Sequence, residues 1–492
     1  MILLLFTAFI VILCYVINQI RKPRNFPPGP PWLPLVGNLR DLKKLSNSLG
    51  GQHLALQDMA RRYNTNILGL KLGNDYVVTV FSYDIVKTVL MGEEFEGRPD
   101  NFFIRLRTMG TKKGITCTEG SLWKIHRAFV MTHLRNLGYG KNIMGFMIKE
   151  EVADILELLS QNLNVQVGKF LAQSVLNILW AFTTGTRFSR NDNRLNKLLD
   201  LLSTRSKAFD ISGGTLSQHP WLRFIAPEKT GFNLILKLNK DLNKLLMETI
   251  NEHKKTWTEG RNDDLIYSFI SEMKREDLGD STFTDDQLAM ICLDIFIAGS
   301  QTTSNTLDFA FLAMILYPNV QTKLHNYLDN KLKNTDKLEY NERQRLPYVE
   351  AVLFEIERFF HVVPICGPRR VLKETTLEGY NIPKGTTVLI SLQSIHEDKQ
   401  FWGDPEVFRP ERFLDKDENL IMYDRLIPFG LGKRRCLGET LARNCIFTFF
   451  TEIMSKYYIS LLPGSDTPTG LPIPGITLSP EKYNALFTKK YS

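Results

Sequence analysis

One ten-residue stretch of this chain gathers a cysteine, three glycines and three basic residues. It reads Phe429-Gly430-Leu431-Gly432-Lys433-Arg434-Arg435-Cys436-Leu437-Gly438. Glycine lets a backbone fold tightly, and arginine grips carboxylates through paired donors. Alone, a cysteine behind such a turn serves structure as readily as chemistry. The other five, Cys14, Cys117, Cys292, Cys366 and Cys445, lie far apart. None forms the C-x-x-C pair of a zinc or dithiol site, so free thiols in a reducing compartment fit better than a disulfide framework.

Three further patterns place reactive or charged groups at helical spacing. Glu355-Ile356-Glu357-Arg358 puts Glu355 and Arg358 on one helix face as an ion pair. Trp123-Lys124-Ile125-His126-Arg127 aligns Trp123 with Arg127. The third, Ala298-Gly299-Ser300-Gln301-Thr302-Thr303, falls in the middle of a long apolar helical pattern. Its glycine costs about 1 kcal/mol of helix propensity, and its polar side chains would be buried. A local rule broken at the centre of a core helix points to function, with close helix packing as the plain alternative.

Together these residues make the chain resemble the cytochrome P-450 family, whose haem-binding loop reads F-x-x-G-x-R-x-C-x-G. The resemblance implies haem b, with Cys436 as the axial thiolate on iron, Arg434 on a haem propionate, and Phe429, Gly430, Gly432 and Gly438 shaping the loop beneath the ring. It makes Glu355 and Arg358 the E-x-x-R pair, joined by Arg412 from Pro410-Glu411-Arg412-Phe413, as a structural ion pair below the haem. Trp123 and Arg127 match W-x-x-x-R and become propionate donors. Arg369, in Pro368-Arg369-Arg370, becomes another. In the mid-helix pattern A-G-x-[DE]-T the threonine is Thr302, while Gln301 stands where the acid belongs. By resemblance both are catalytic: Thr302 holds a water near dioxygen, and Gln301 occupies the proton-renewing position although an amide cannot ionise.

These groups need a large, mainly α fold with a small β region, the cytochrome P-450 fold. Helical periodicity covers Glu150 to Leu163, Phe170 to Thr184, Leu234 to Trp257, Thr284 to Tyr317, Pro347 to Phe360 and Gly438 to Lys456. Thr284-Asp285-Asp286-Gln287 has the form of a capping box, and the helix it opens runs for roughly 45 Å to Pro318. Alternation at 67–72 and 76–81 predicts a hairpin turned at Gly73-Asn74-Asp75, and a second β region is expected from Thr376 to Ile390.

The chain has 492 residues, is 43% hydrophobic and carries a formal charge of +8. That length permits a single large domain. The basic residues are dispersed, without zinc-finger spacing or repeats, which argues against nucleic acid and leaves a membrane surface or an acidic protein as partners. Ile2 to Ile20 is nearly all hydrocarbon, with Arg21, Lys22 and Arg24 following it. This predicts a transmembrane signal-anchor over 1–20 with the rest cytosolic, a basic and proline-rich hinge over 21–40, and a catalytic domain over 41–492.

The segments Phe95-Glu96-Gly97-Arg98-Pro99 and Arg135-Asn136-Leu137-Gly138-Tyr139-Gly140 carry the likeness furthest, toward insect microsomal members near methyl farnesoate epoxidase. The implied activity is an NADPH-dependent monooxygenase of the endoplasmic reticulum. It would use an NADPH-cytochrome reductase, with cytochrome b5 as a further partner, and insert oxygen into an apolar small molecule such as methyl farnesoate. The alternatives are a haem-thiolate isomerase or peroxide-rearranging enzyme that needs no reductase, and a non-catalytic haem or lipid carrier. Lys124, His133, Arg135 and Lys433 are the expected cations of the reductase-facing surface.

Overall fold

The structure, a computed structural model, describes residues 2–208, 216–217, 219–275, 281–332 and 342–490. The first helix, α1 (Ile2–Ile20), buries none of its side chains and is long and apolar enough to cross a membrane. The connector after it is docked rather than free. Gly69 N–H donates to the Pro28 carbonyl at 2.8 Å, and Trp32 is buried against Phe26 and stacks on Tyr76. Lys71 reaches back to the Gln19 carbonyl at 2.8 Å, tying the end of α1 to the first strand.

The helices that build and frame the site are α2 (Phe102–Arg107), α3 (Gly120–Asn136), α4 (Asn142–Gln161), α5 (Val167–Thr184), α6 (Asn193–Ala208), α7 (Phe232–Thr256), α8 (Asp285–Leu316), α9 (Pro347–Phe360) and α10 (Glu439–Lys456). The expected helices are all present, and α4 begins eight residues before Glu150. Its first two turns expose Ile143 and Phe146, which blurs the apolar stripe a sequence reading depends on.

Helix α8 runs through the main core and packs most extensively on α5. Thr284 caps it by accepting from Gln287 N–H at 3.3 Å. The capping box is only half made, because the Gln287 amide instead pairs with both backbone groups of Gly114.

The strands are β1 (Ile67–Leu72), β2 (Asp75–Val80), β3 (Asn164–Gln166), β4 (Ile365–Arg370), β5 (Thr375–Leu377), β6 (Tyr380–Ile382), β7 (Thr387–Ser391), β8 (Tyr457–Leu461) and β9 (Asn484–Lys489). A four-stranded sheet has the order β1-β2-β7-β4, with β2 and β7 parallel. The hairpin β1–β2 pairs Leu72 with Asp75, so its turn is Gly73-Asn74. Strand β4 lay outside the expected β region. Its register shifts between Cys366 and Arg369, and Gly367-Pro368 interrupts any alternation. The small sheet β3-β9-β8 was also missed, since three-residue β3 carries little pattern of its own.

Candidate active site

The cysteine loop approaches the core between β4, α3 and the start of α10. Cys436 N–H closes it by donating to the Phe429 carbonyl at 2.9 Å. Gly432 is held at φ +72°, and a Cβ there would lie 2.5 Å from the Leu90 carbonyl oxygen. Only glycine fits such a left-handed, closely approached position. Tyr139, from the loop after α3, clamps the far side. Its hydroxyl donates to the Leu437 carbonyl at 3.0 Å and accepts from Leu441 N–H at 3.2 Å. Gly438 caps α10.

Above the loop lies a cavity of about 400 Å³, lined mostly by apolar side chains, with Cys436, Phe429, Gly430 and Arg434 on one side and Ala298, Thr302 and Thr306 of α8 on another. The spacing of these three α8 residues puts them on one helix face. Thr302 Oγ1 donates to the Ala298 carbonyl at 2.7 Å. Gln301, one residue earlier, is not among the lining residues. Gly299 packs instead against α5, where a Cβ would meet Leu179 at 2.8 Å. The break in α8 therefore serves two ends: a close helix crossing at Gly299 and a polar group over the cavity at Thr302.

A group of arginines surrounds the loop, Arg369 and Arg434 buried, Arg98 and Arg127 half-buried. Arg434 donates to the Thr118 carbonyl at 2.8 Å, and its guanidinium carbon lies 3.7 Å from the centroid of the Trp123 ring. Arg127 lies over the same ring and donates to the Arg435 carbonyl at 2.7 Å. Arg369 is 1% exposed, and Arg98 donates to the Gly367 and Pro368 carbonyls. Burial, reinforced by neighbouring arginines, pushes Arg434 down to about 9 and Arg369 down to about 10.

The Nε atoms of Arg98, Arg369 and Arg434 are buried without partners. None of the three forms an ion pair with a carboxylate among the described residues. Buried cations persist where something anionic balances them, and the two propionates of a haem meet that need beside a cysteine sulfur. The residues fit the group. Arg98 and Tyr139 were not selected as site residues from the sequence, although both stand in segments that carried the family likeness. The only signal in the sequence was the place of Arg98 between Gly97 and Pro99 in such a segment.

Below the cavity, Glu355 and Arg358 are both fully buried and joined by two hydrogen bonds of 2.7 and 2.8 Å. Arg412 Nε reaches Glu355 at 3.0 Å, and Arg409 N–H donates to it at 2.8 Å. Arg358 continues to the His396 carbonyl at 3.0 Å. The three charges expected to meet do so, with every carboxylate oxygen engaged. Lys124 and Arg135 are exposed on α3. Lys433, in contrast, is paired with Glu93 at 2.6 Å and Glu96 at 3.2 Å, and His133 is turned onto Phe129.

Residues 27–487 match the family model for cytochrome P450. The chain is 46% identical to a probable cytochrome P450 305a1 of Drosophila melanogaster over 485 residues, 96% of each chain. It is 36% identical to a farnesoate epoxidase of Bombyx mori, covering 97% of this chain and 98% of the relative. With cytochrome P450 2J1 of Oryctolagus cuniculus the identity is 34%, over 94% and 91%. With the cysteine loop, the unbalanced arginines and the polar break in α8 all in one fold, this chain belongs to the cytochrome P450 family of haem-thiolate monooxygenases.

Proposed function

We propose that the protein takes electrons from NADPH through an NADPH-cytochrome reductase, with cytochrome b5 as a further donor, and places one oxygen atom from dioxygen into an apolar sesquiterpenoid. Methyl farnesoate is the substrate the sequence resemblance implied, and the likeness to a farnesoate epoxidase supports that class. The observation that carries the reading is one apolar cavity with Cys436 on one side and Thr302 on the other.

Haem b bound there would supply dioxygen activation, with a thiolate pushing electron density toward O–O cleavage. Cys436 would supply the thiolate that holds its iron. Phe429, Gly430, Gly432 and Gly438 would shape the loop that carries that thiolate. Arg434, Arg369, Arg127 and Trp123 would bind the propionates, joined by Arg98. Glu355, Arg358 and Arg412 keep the supporting loop in place. The apolar walls exclude bulk water and orient the substrate by shape.

Thr302 is placed to hold a water over the reacting centre and pass a proton from its hydroxyl. Gln301 can neither ionise nor reach into the cavity from its position, so proton renewal runs through water or through the substrate's own polar group. The same proposal makes 1–20 a signal-anchor in the endoplasmic reticulum, 21–40 a hinge, and 41–492 a catalytic domain facing the cytosol.

The test is product formation by the full chain in membranes with reductase, NADPH and a small terpenoid panel. NADPH-dependent oxygen consumption matched by an oxygenated product is expected. Turnover of a substrate or peroxide without NADPH and reductase would establish the isomerase or rearrangement chemistry instead.

A further inference from the structure

Phe429, which opens the cysteine loop, has a support separate from the Glu355 group. Arg443, one turn into α10, places its guanidinium carbon over the Phe429 ring at 4.7 Å and over the Phe354 ring of α9 at 5.3 Å. Two carboxylates fix it there. Glu357 of α9 receives it at 3.2 Å, and Glu439, one turn earlier on α10, at 3.3 Å. The side chains of Arg443 and Glu357 are only 16% and 6% exposed. Burial works against the Arg443 charge, but Glu357 and Glu439 outweigh it and raise its pKa. A guanidinium held in a set plane orients an aromatic ring, which a flexible ammonium does less well.

Phe429 is tied directly to the cysteine. Its carbonyl accepts the Cys436 N–H at 2.9 Å, and its side chain lines the same cavity as Cys436. The Cys436 sulfur already receives a hydrogen bond from the Gly438 N–H. Hydrogen bonds to a ligand sulfur, and the access of solvent to it, set the potential of the iron it holds. A ring kept on this wall limits further donors. Glu357 also stands on the cavity wall, where a buried carboxylate needs the balance that Arg443 gives it.

We propose that Arg443 is a positioning residue for the haem thiolate: pinned by Glu357 and Glu439, it holds the Phe429 ring on the cysteine side of the cavity and so keeps the reduction potential of the iron low. Resting on Cys436 as the axial thiolate, this gives a role to a residue outside the cysteine loop. Two routes from Arg443 to the iron have opposite signs. As a bare cation it would favour the reduced, more negative haem, so its removal would lower the potential. As the support of Phe429 it keeps water from the sulfur, so its removal raises the potential. The ion pairs decide between them, because Glu357 and Glu439, the latter shared with Arg435 at 3.5 Å, cancel the charge at short range.

The experiment is a spectroelectrochemical titration of the full-length haem-loaded protein in lipid nanodiscs, with haem content and the reduced carbon monoxide band recorded for each variant. Changing Arg443 alone strands the buried Glu357, so the main variant pairs Arg443→Met with Glu357→Gln. Its reduction equilibrium should shift about ten-fold toward the ferrous form, about 59 mV for one electron, with the thiolate band kept. Phe429→Leu should shift it in the same direction, and adding the paired changes to Phe429→Leu should move it less than about two-fold further. Arg443→Lys, which keeps the charge and loses the planar fork, should give a smaller shift of the same sign.

An unchanged or lowered potential in the paired variant, at normal haem content, overturns the proposal. So does a wild-type potential in Phe429→Leu, and so do additive shifts in the triple variant, which would mean that Arg443 acts without Phe429. If the paired variant loses its haem, Arg443→Lys decides, and a potential equal to that of wild type overturns the proposal. Absence of the thiolate band from wild type would remove Cys436 as the ligand and fail both readings together, whereas an intact band with no shift fails Arg443 alone.

Discussion

Arg434 stacks on Trp123, its guanidinium carbon 3.7 Å from the ring centroid, while its Nε points into a buried space without an acceptor. The stack fixes the orientation of the guanidinium and leaves donors directed at a ligand. Arg434→Leu should therefore fold but retain several-fold less haem. The check is haem per polypeptide after purification, with Arg434→Lys intermediate because it keeps the charge and loses the fork. Equal haem content in wild type and Arg434→Leu would remove this residue from the site.

Thr302 tests the proton route. Its replacement by alanine removes the hydroxyl that now donates to Ala298 and lines the cavity. Thr302→Ala should divert reducing equivalents to hydrogen peroxide and lower product per NADPH. Gln301→Glu restores the family's acid, and because residue 301 is not on the cavity wall, its effect should be smaller than that of Thr302→Ala. Identical product per NADPH in wild type, Gln301→Glu and Thr302→Ala would show that protons arrive by a route that avoids α8.

Glu355 receives Arg358, Arg412 and the Arg409 amide in a fully buried setting. Removing the carboxylate leaves buried guanidinium charge uncompensated, which costs on the order of 3 to 5 kcal/mol. Glu355→Ala should give little folded, haem-containing protein, and Glu355→Gln should recover only part of it. A variant with wild-type thermal stability would refute the structural role.

Much of this was legible from residue spacing. Cys436, Arg434, Thr302 and the Glu355–Arg358–Arg412 group stand in short motifs with few alternatives; α8 is a long apolar run between its Thr284 cap and Pro318, and α9 has a clear helical period after Pro347. Strand β4 was not legible, because a bulge with Gly367 and Pro368 erases alternation while distant β7 supplies the hydrogen bonds. Arg98 was missed as a site residue for a related reason. What makes it unusual is a half-buried guanidinium that, among the described residues, no carboxylate balances, which no local pattern encodes. Lys433 shows the opposite limit: as an isolated cation in the sequence it has no visible partner, yet on the surface it pairs with Glu93, 340 positions away.

In the proposed electron-transfer partnership, the exposed cations of α3 without an ion pair among the described residues, Lys124 and Arg135, are the first to test. Lys124→Glu with Arg135→Glu should slow the first electron transfer several-fold at low ionic strength, the difference shrinking as salt is raised. The measurement is stopped-flow reduction under carbon monoxide. A rate unchanged at low salt would rule out this surface.

Asp308, on α8 beside Gly168 of α5, carries a pH dependence unrelated to catalysis. Burial pushes its carboxyl up to about 7, whereas an unfolded aspartate titrates near roughly 3.9. The folded protein therefore binds a proton the unfolded chain has released, and stability falls as pH rises between those values. Asp308→Asn should melt higher than wild type at about pH 8, and the gap should narrow as pH drops below about 7. A gap of the same size at every pH would show that the carboxyl does not titrate on folding.

The most direct test of a haem held by Cys436 is the absorption spectrum of the dithionite-reduced protein under carbon monoxide, for wild type and Cys436→Ser at matched haem content. A thiolate ligand predicts the red-shifted band that names the family in wild type and its loss in Cys436→Ser. The same band in both proteins would contradict Cys436 as the axial ligand.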